Sequence, residues 1–349
     1  MSNIEICMEC KPSIREIIKM NEDELKKFLI SHGLITDIMK CPNCQESCNL
    51  YNESIKKPDR SQTNYEKISL TNKRLYWRCQ KTKYVQGNKR KKLIKCNFMS
   101  SFWAHTFFAK SQLSIEDIIH FVVFFITSNA PKTDLLQDEF GFSRKTVIDW
   151  VNFMHEVLLD WSFRNNSLMI GGEGKVVEVS ESKLGGLICN GERVYGGQWV
   201  IGGIERSSKK MFIIPIKTRD EETLIQIIRK TIAPGTKIVS DLWKSYDSPP
   251  QECFLSLEGE LLIPTNHSES FIDQATDANT QNIERCFRYL KRKIPKNKLT
   301  EEHYSNYIAE FLFVRAYPNI RDRIHQIFRE ISIMYDPTRL NDKRNYYEN

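Results

Sequence analysis

Apolar residues recur along this chain at two different spacings, and the change between them divides it. In residues 21–32, Leu25, Phe28 and Leu29 fall on one face of a helix. Asn21 stands where a cap belongs, with Glu24 at the capping-box position three residues on. Ser114 can cap a second helix, with Asp117 in its first turn and apolar residues continuing to Phe125. Residues 133–140 and 143–159 predict two more, separated by Gly141-Phe142-Ser143. The second of these carries its apolar stripe on Val147, Trp150, Val151 and Met154. A short helix, a turn with glycine and a second helix is the layout of a helix-turn-helix, although an ordinary helical hairpin has the same pattern. Arg144 and Lys145 lie near the start of the second helix, where a recognition helix meets DNA.

From about residue 171 the pattern changes to short runs rich in Val and Ile. Residues 175–180, 198–205 and 211–216 predict three strands. Residues 221–232 read as a helix, broken by Pro234-Gly235, and residues 237–241 as a fourth strand. Helices over 279–292 and 301–315 follow. Three strands, a helix, a strand and later helices is the order of an RNase-H-like α/β fold. The expected organisation is therefore a helix and cysteine-containing segment over 1–104, a helical region over 105–168, an α/β domain over 169–330 and a tail over 331–349.

Composition sets limits on this picture. Hydrophobic residues make up 40% and charged residues 27% of the 349, which suits globular protein rather than a disordered chain. No apolar run reaches the roughly 18 residues that span a bilayer, and the first twenty residues lack the apolar core of a secretory signal. Ten cysteines without such a signal point to reduced thiols and metal ligands. Cys41-Pro42-Asn43-Cys44 is a knuckle at metal-ligand spacing, and Cys79 and Cys96 are the best candidates to complete a structural Zn2+ site. Cys48, Cys7 and Cys10 are spare thiols that could substitute or hold a second ion. His105 and His267 have no second His or Cys at ligand spacing beside them and are not expected to bind metal.

The net charge is +7, a weak sign by itself, but the distribution is uneven. From Thr71 to Lys110 there is no Asp or Glu, while Lys89, Arg90, Lys91 and Lys92 stand together between Cys79 and Cys96. Clustering of one sign suits a phosphate backbone, where each neutralised phosphate releases counterions; a solvated basic loop is the plainer alternative.

Several phrases now line up in order. They are His32-Gly33-Leu34 ahead of the Cys41 knuckle, Trp77-Arg78-Cys79, Phe142-Ser143-Arg144-Lys145-Thr146-Val147, Val177-Glu178-Val179-Ser180-Glu181-Ser182-Lys183, Ser240-Asp241-Leu242-Trp243-Lys244, and Thr280-Gln281-Asn282-Ile283-Glu284 with Leu290-Lys291-Arg292. The ordered set resembles the Merlin superfamily of DDE transposases and their bacterial insertion-sequence relatives. The resemblance implies a zinc-ribbon-like segment, a helix-turn-helix and an RNase-H-like core that cuts and joins DNA at terminal inverted repeats. It also implies an acidic triad holding two divalent cations, Mg2+ or Mn2+, and assembly as a homo-oligomer on DNA. Such a protein works in the nucleus of a eukaryote or the cytoplasm of a bacterium, with no role for a membrane.

Carried over residue by residue, the triad is incomplete. The first acid falls on Ser180, a neutral hydroxyl where a bridging carboxylate is expected. Strand alternation puts Glu178 on the same face as Ser180, nearly 7 Å along the strand at about 3.3 Å per residue. Glu181 faces the other way unless the strand ends at Ser180. The second acid matches Asp241. The third matches Glu284, with Asn282 as the alternative, and Lys291 lies two turns after Glu284 on the same helix face. Three readings follow: an impaired, transposase-derived DNA-binding protein; an active transposase using Glu178 or Glu181; and a zinc-dependent protein-interaction module.

Overall fold

The structure is a computed structural model, and it describes residues 7, 10–52, 62–86, 91–128, 133–166, 168–189, 192–240, 261–264, 280–295 and 299–338. The chain is a mixed α/β protein that divides into two compact units, Met1–Ile148 with Pro318–Asn349, and Asp149–Tyr317.

In the first unit, α1 (Ile14–Ile18) and α2 (Glu22–Ser31) both start on a complete capping box, Ser13 with Glu16 and Asn21 with Glu24. The cysteine-containing segment is built from β1 (Asn49–Asn52), α3 (Asn64–Lys67), β2 (Leu75–Arg78), β3 (Thr82–Gln86), β4 (Lys91–Lys95) and β5 (Met99–Ser101). Strands β1, β2 and β5 form a small antiparallel sheet around the buried Trp77, and β3 pairs with β4 as a separate ribbon. Then come α4 (Ile115–Thr127), capped by Ser114, and α5 (Thr133–Phe140). Gly141 turns the chain with φ +64°, a left-handed conformation that favours glycine, and Ser143 Oγ accepts from the Thr146 N–H at the start of α6 (Arg144–Asn166). Phe140 and Phe142 both pack on Phe121 of α4.

The second unit holds β6 (Ile170–Gly171), β7 (Val176–Leu184), β8 (Leu187–Cys189), β9 (Glu192–Tyr195), β10 (Gln198–Glu205), β11 (Met211–Ile216), α7 (Glu221–Thr231), β12 (Ile232–Ala233), β13 (Lys237–Ser240), β14 (Leu261–Pro264), α8 (Gln281–Lys293) and α9 (Glu301–Ala316). Its main sheet has the order β11-β10-β7-β13-β14. Strands β11, β10 and β7 run antiparallel, while β13 is parallel to both β7 and β14. Val177 and Val179 of β7 join Ile201, Phe212, Ile238 and the α7 residues Leu224 and Ile228 in the core on one face. The other face carries Glu178, Ser180 and α8. Gly202, directly across from Ser180, has no room for a Cβ, which would sit 2.9 Å from the Phe287 ring and 3.2 Å from Ile283.

Two features differ from the sequence expectation. Strand β7 runs four residues past Ser180, with unbroken register against β10 from Val177 to Leu184. The last helix, α10 (Ile320–Met334), packs in the first unit, where Phe328 meets Phe28 edge-on and Tyr335 meets Phe107. The sequence reading divided these residues between the third domain and the tail.

Candidate active site and metal centre

Cys41 and Cys44 sit on a tight turn in which the Cys41 N–H donates to the Glu46 carbonyl and the Gln45 N–H donates to the Cys41 carbonyl. Cys79 directly follows β2 and Cys96 directly follows β4. The β3–β4 ribbon therefore brings back a ligand that is remote in sequence. The Cys41 and Cys96 sulfurs are 3.5 Å apart, as are those of Cys44 and Cys79, and all four lie within 4.8 Å of one another. A tetrahedron with metal–sulfur bonds of about 2.3 Å has edges of about 3.8 Å, so this set has the size of a four-thiolate zinc site. Backbone N–H groups of Asn43 and Cys44 point at Cys41, that of Lys81 at Cys79 and that of Phe98 at Cys96. The Phe98 N–H holds the Cys96 thiol down to about 7, while burial pushes Cys79 up to about 12 and Cys41 upward as well. Buried sulfurs this close need a cation to become thiolates together. The cluster can hold a structural metal such as zinc. Cys48, also buried, is not one of the four.

The second site lies beneath α8. Thr280, at the start of that helix, makes no side-chain cap. Glu178 supplies the cap from the neighbouring strand: its Oε2 accepts from the N–H groups of Asn282 at 2.9 Å and Ile283 at 3.3 Å. Oε1 accepts from the Asn282 side-chain amide at 2.7 Å and from Arg206 Nε at 2.8 Å. The carboxylate is fully buried, and an anion at a helix N-terminus is favoured both by the unpaired N–H groups and by the helix dipole. Glu181, one residue beyond Ser180, faces the opposite way and forms a two-point ion pair with Arg219, whose guanidinium stacks 4.0 Å from the Trp199 ring. Ser180 itself is buried, and among the described residues its hydroxyl donates to the Glu181 carbonyl, at a long 3.5 Å. Glu284 accepts a hydrogen bond from the Thr280 hydroxyl at 2.8 Å. Asp241 would follow Ser240, the last residue of β13, and lies outside the described residues.

Residues 176–315 match the ISXO2-like transposase domain. The match spans less than half of the chain and lies within the expected third domain; no curated protein matches the chain. It agrees with the resemblance at the level of DDE transposases. Ser180, to which the resemblance carries the first acid, presents a neutral hydroxyl, and Glu178 and Glu181 are bound to Arg206 and Arg219 respectively.

Of the residues expected to meet DNA, Arg144 and Lys145 begin α6 with exposed side chains, and Arg144 pairs with Asp134 of α5. Lys91 and Lys92 are on β4, and Lys291 is exposed on α8. Lys89 and Arg90 lie outside the described residues. Among the described residues, no helix is long and apolar enough to cross a membrane. The capping role of Glu178 was hidden in the sequence, because its partners Arg206 and Asn282 are 28 and 104 residues away.

Proposed function

We propose that the chain is a DNA-binding protein derived from a Merlin-type DDE transposase, with an RNase-H-like core and an impaired cleavage centre. The observation that carries this reading is Ser180, buried on the central strand at the first-acid position, between two glutamates already held by arginines. The strand order β11-β10-β7-β13-β14, with three antiparallel strands followed by two parallel ones, favours the RNase-H-like core. Asn282 is occupied in anchoring α8 to Glu178, which favours Glu284 as the third acid; Asp241 is the second acid by the resemblance alone. The α5–Gly141–α6 segment serves as the helix-turn-helix, with Arg144 and Lys145 toward DNA. Cys41, Cys44, Cys79 and Cys96 hold Zn2+, and Lys89, Arg90, Lys91 and Lys92, which lie between Cys79 and Cys96 in the sequence, meet the phosphates.

Nicking of supercoiled DNA in Mg2+ or Mn2+ tests the impairment. The wild-type chain is expected to be inactive. Ser180→Asp should raise the rate about 100-fold or more, the scale on which one positioned electrostatic group acts in catalysis. Asp241→Ala in that background should abolish the gain. Wild-type nicking that disappears with Asp241→Ala alone would show a working enzyme and overturn the proposal. DNA affinity should fall roughly tenfold or more between about 50 and 200 mM salt, because each phosphate contact releases counterions. A flat salt response would leave the zinc-dependent interaction module as the surviving reading.

A further inference from the structure

Outside the four-cysteine cluster and the α8 site, one other set of side chains suited to a metal converges among the described residues. Cys7, Cys10, His32 and His325 bring two sulfurs and two imidazole nitrogens within 4.8 Å of one another, all inside the first unit. Cys7 and Cys10 precede α1 at the same two-residue spacing as Cys41 and Cys44. His32 is the residue after α2, and His325 belongs to α10.

We infer that Cys7, Cys10, His32 and His325 form a second structural zinc site, which ties the start of the chain to its last helix. The distances fit tetrahedral coordination. With bonds of about 2.3 Å to sulfur and about 2.0 Å to nitrogen, the edges of such a site are about 3.3 to 3.8 Å. Cys10 Sγ lies 3.3 Å from His32 Nε2 and 3.8 Å from His325 Nδ1, and the two nitrogens are 3.2 Å apart.

The surroundings prepare the ligands. His32 Nδ1 sits 2.8 Å from the Phe28 carbonyl, an acceptor only, so Nδ1 carries the proton and Nε2 turns its lone pair toward the cluster. A backbone carbonyl that fixes the ligating tautomer in this way is a regular feature of metal-bound histidines. The Cys10 N–H donates to Cys7 Sγ at 3.1 Å, the same kind of bond that the first cluster makes to its sulfurs. The Cys7 N–H donates to the Ser31 carbonyl at 2.9 Å, which holds the knuckle against the end of α2. Both rings are buried, as suits the ligands of a closed structural site. Two thiolates with Zn2+ make a neutral group, which suits a buried place.

The test is the zinc content of the full chain under native mass spectrometry, with zinc absorption-edge spectroscopy on the same samples. Two zinc ions per chain are expected, with coordination averaging three sulfurs and one nitrogen per ion over the two sets. His325→Ala and Cys10→Ser should each lose one zinc, and the spectrum of what remains should become sulfur-only. Cys44→Ser should lose the other ion and leave two sulfurs and two nitrogens. His325→Cys, which supplies a new thiolate, should retain both ions. A single zinc in the wild-type chain, or two in His325→Ala, would overturn the assignment and leave a packed thiol–imidazole cluster. None of these readouts involves DNA, so they stand or fall apart from the proposed function.

Discussion

Cys79→Ser is expected to unfold the β1-β2-β5 sheet and the β3–β4 ribbon while leaving the main sheet of the second unit intact. The strands of the small sheet are only three or four residues long, and a three-stranded sheet of that size carries little apolar surface. Leu50, Leu75, Trp77 and Phe102 supply its buried apolar groups. A core of that size rarely yields more than about 3–5 kcal/mol, whereas a structural zinc contributes on the order of 10–16 kcal/mol of apparent binding free energy near neutral pH. The four sulfurs also close the long excursion between Cys79 and Cys96, so loss of one ligand releases the ribbon as well as the knuckle. Amide hydrogen exchange separates the two outcomes. Peptides over 40–52, 75–86 and 91–101 should exchange near the unfolded limit in Cys79→Ser, while those over 176–184, 198–205 and 211–216 keep wild-type protection. Full protection of the first set would mean that packing alone holds the module and that the cluster is incidental. The variant is more informative than a chelator, which would strip any second zinc as well.

Signals confined to a few neighbouring residues were legible in the sequence. The capping boxes at Asn21 and the cap at Ser114 are written within three residues, and both helices start where those residues put them. Strands β10 and β11 carry apolar runs, Trp199-Val200-Ile201 and Met211-Phe212-Ile213-Ile214, and span the residues that the sequence predicts. Strand β7 was cut short because Ser180-Glu181-Ser182 reads as polar, whereas pairing with β10 holds those residues in the sheet. The short strands β1 to β5 have no clear alternation and owe their order to register and the cysteine cluster rather than to local propensity. For the candidate sites the same division holds. Cys41 and Cys44 announce themselves by spacing, while Cys79 and Cys96 are the best candidates to complete the set, with Cys48, Cys7 and Cys10 left as possible substitutes. His32 was noticed only as part of a phrase and His325 not at all, since their contact spans 293 residues. The end of the strand at Ser240 was placed to within one residue, but Asp241, to which the resemblance carries the second acid, lies outside the described residues.

Glu178→Ala should cost about 3–5 kcal/mol of stability, the scale for breaking a buried ion pair from one side. The carboxylate is fully buried, and its loss removes the acceptor that Arg206 Nε meets at 2.8 Å and the acceptor of the Asn282 and Ile283 N–H groups at the head of α8. Glu178→Gln keeps the shape and one acceptor oxygen but presents an amide N–H toward donors, so it should fall between wild type and alanine. Urea denaturation of the second unit, followed by tryptophan fluorescence in metal-free buffer, measures the difference. The same experiment separates the two roles open to Glu178. A carboxylate kept for cation binding sits among like charges in metal-free buffer, and removing it there leaves stability unchanged or improves it. A carboxylate that caps a helix and neutralises an arginine costs stability when removed, with or without Mg2+. The four donors around Glu178 favour the second outcome. If it is found, the glutamate nearest to Ser180 on its face is bound up in holding α8 to the sheet, and restoring a first acid requires a change at Ser180 itself.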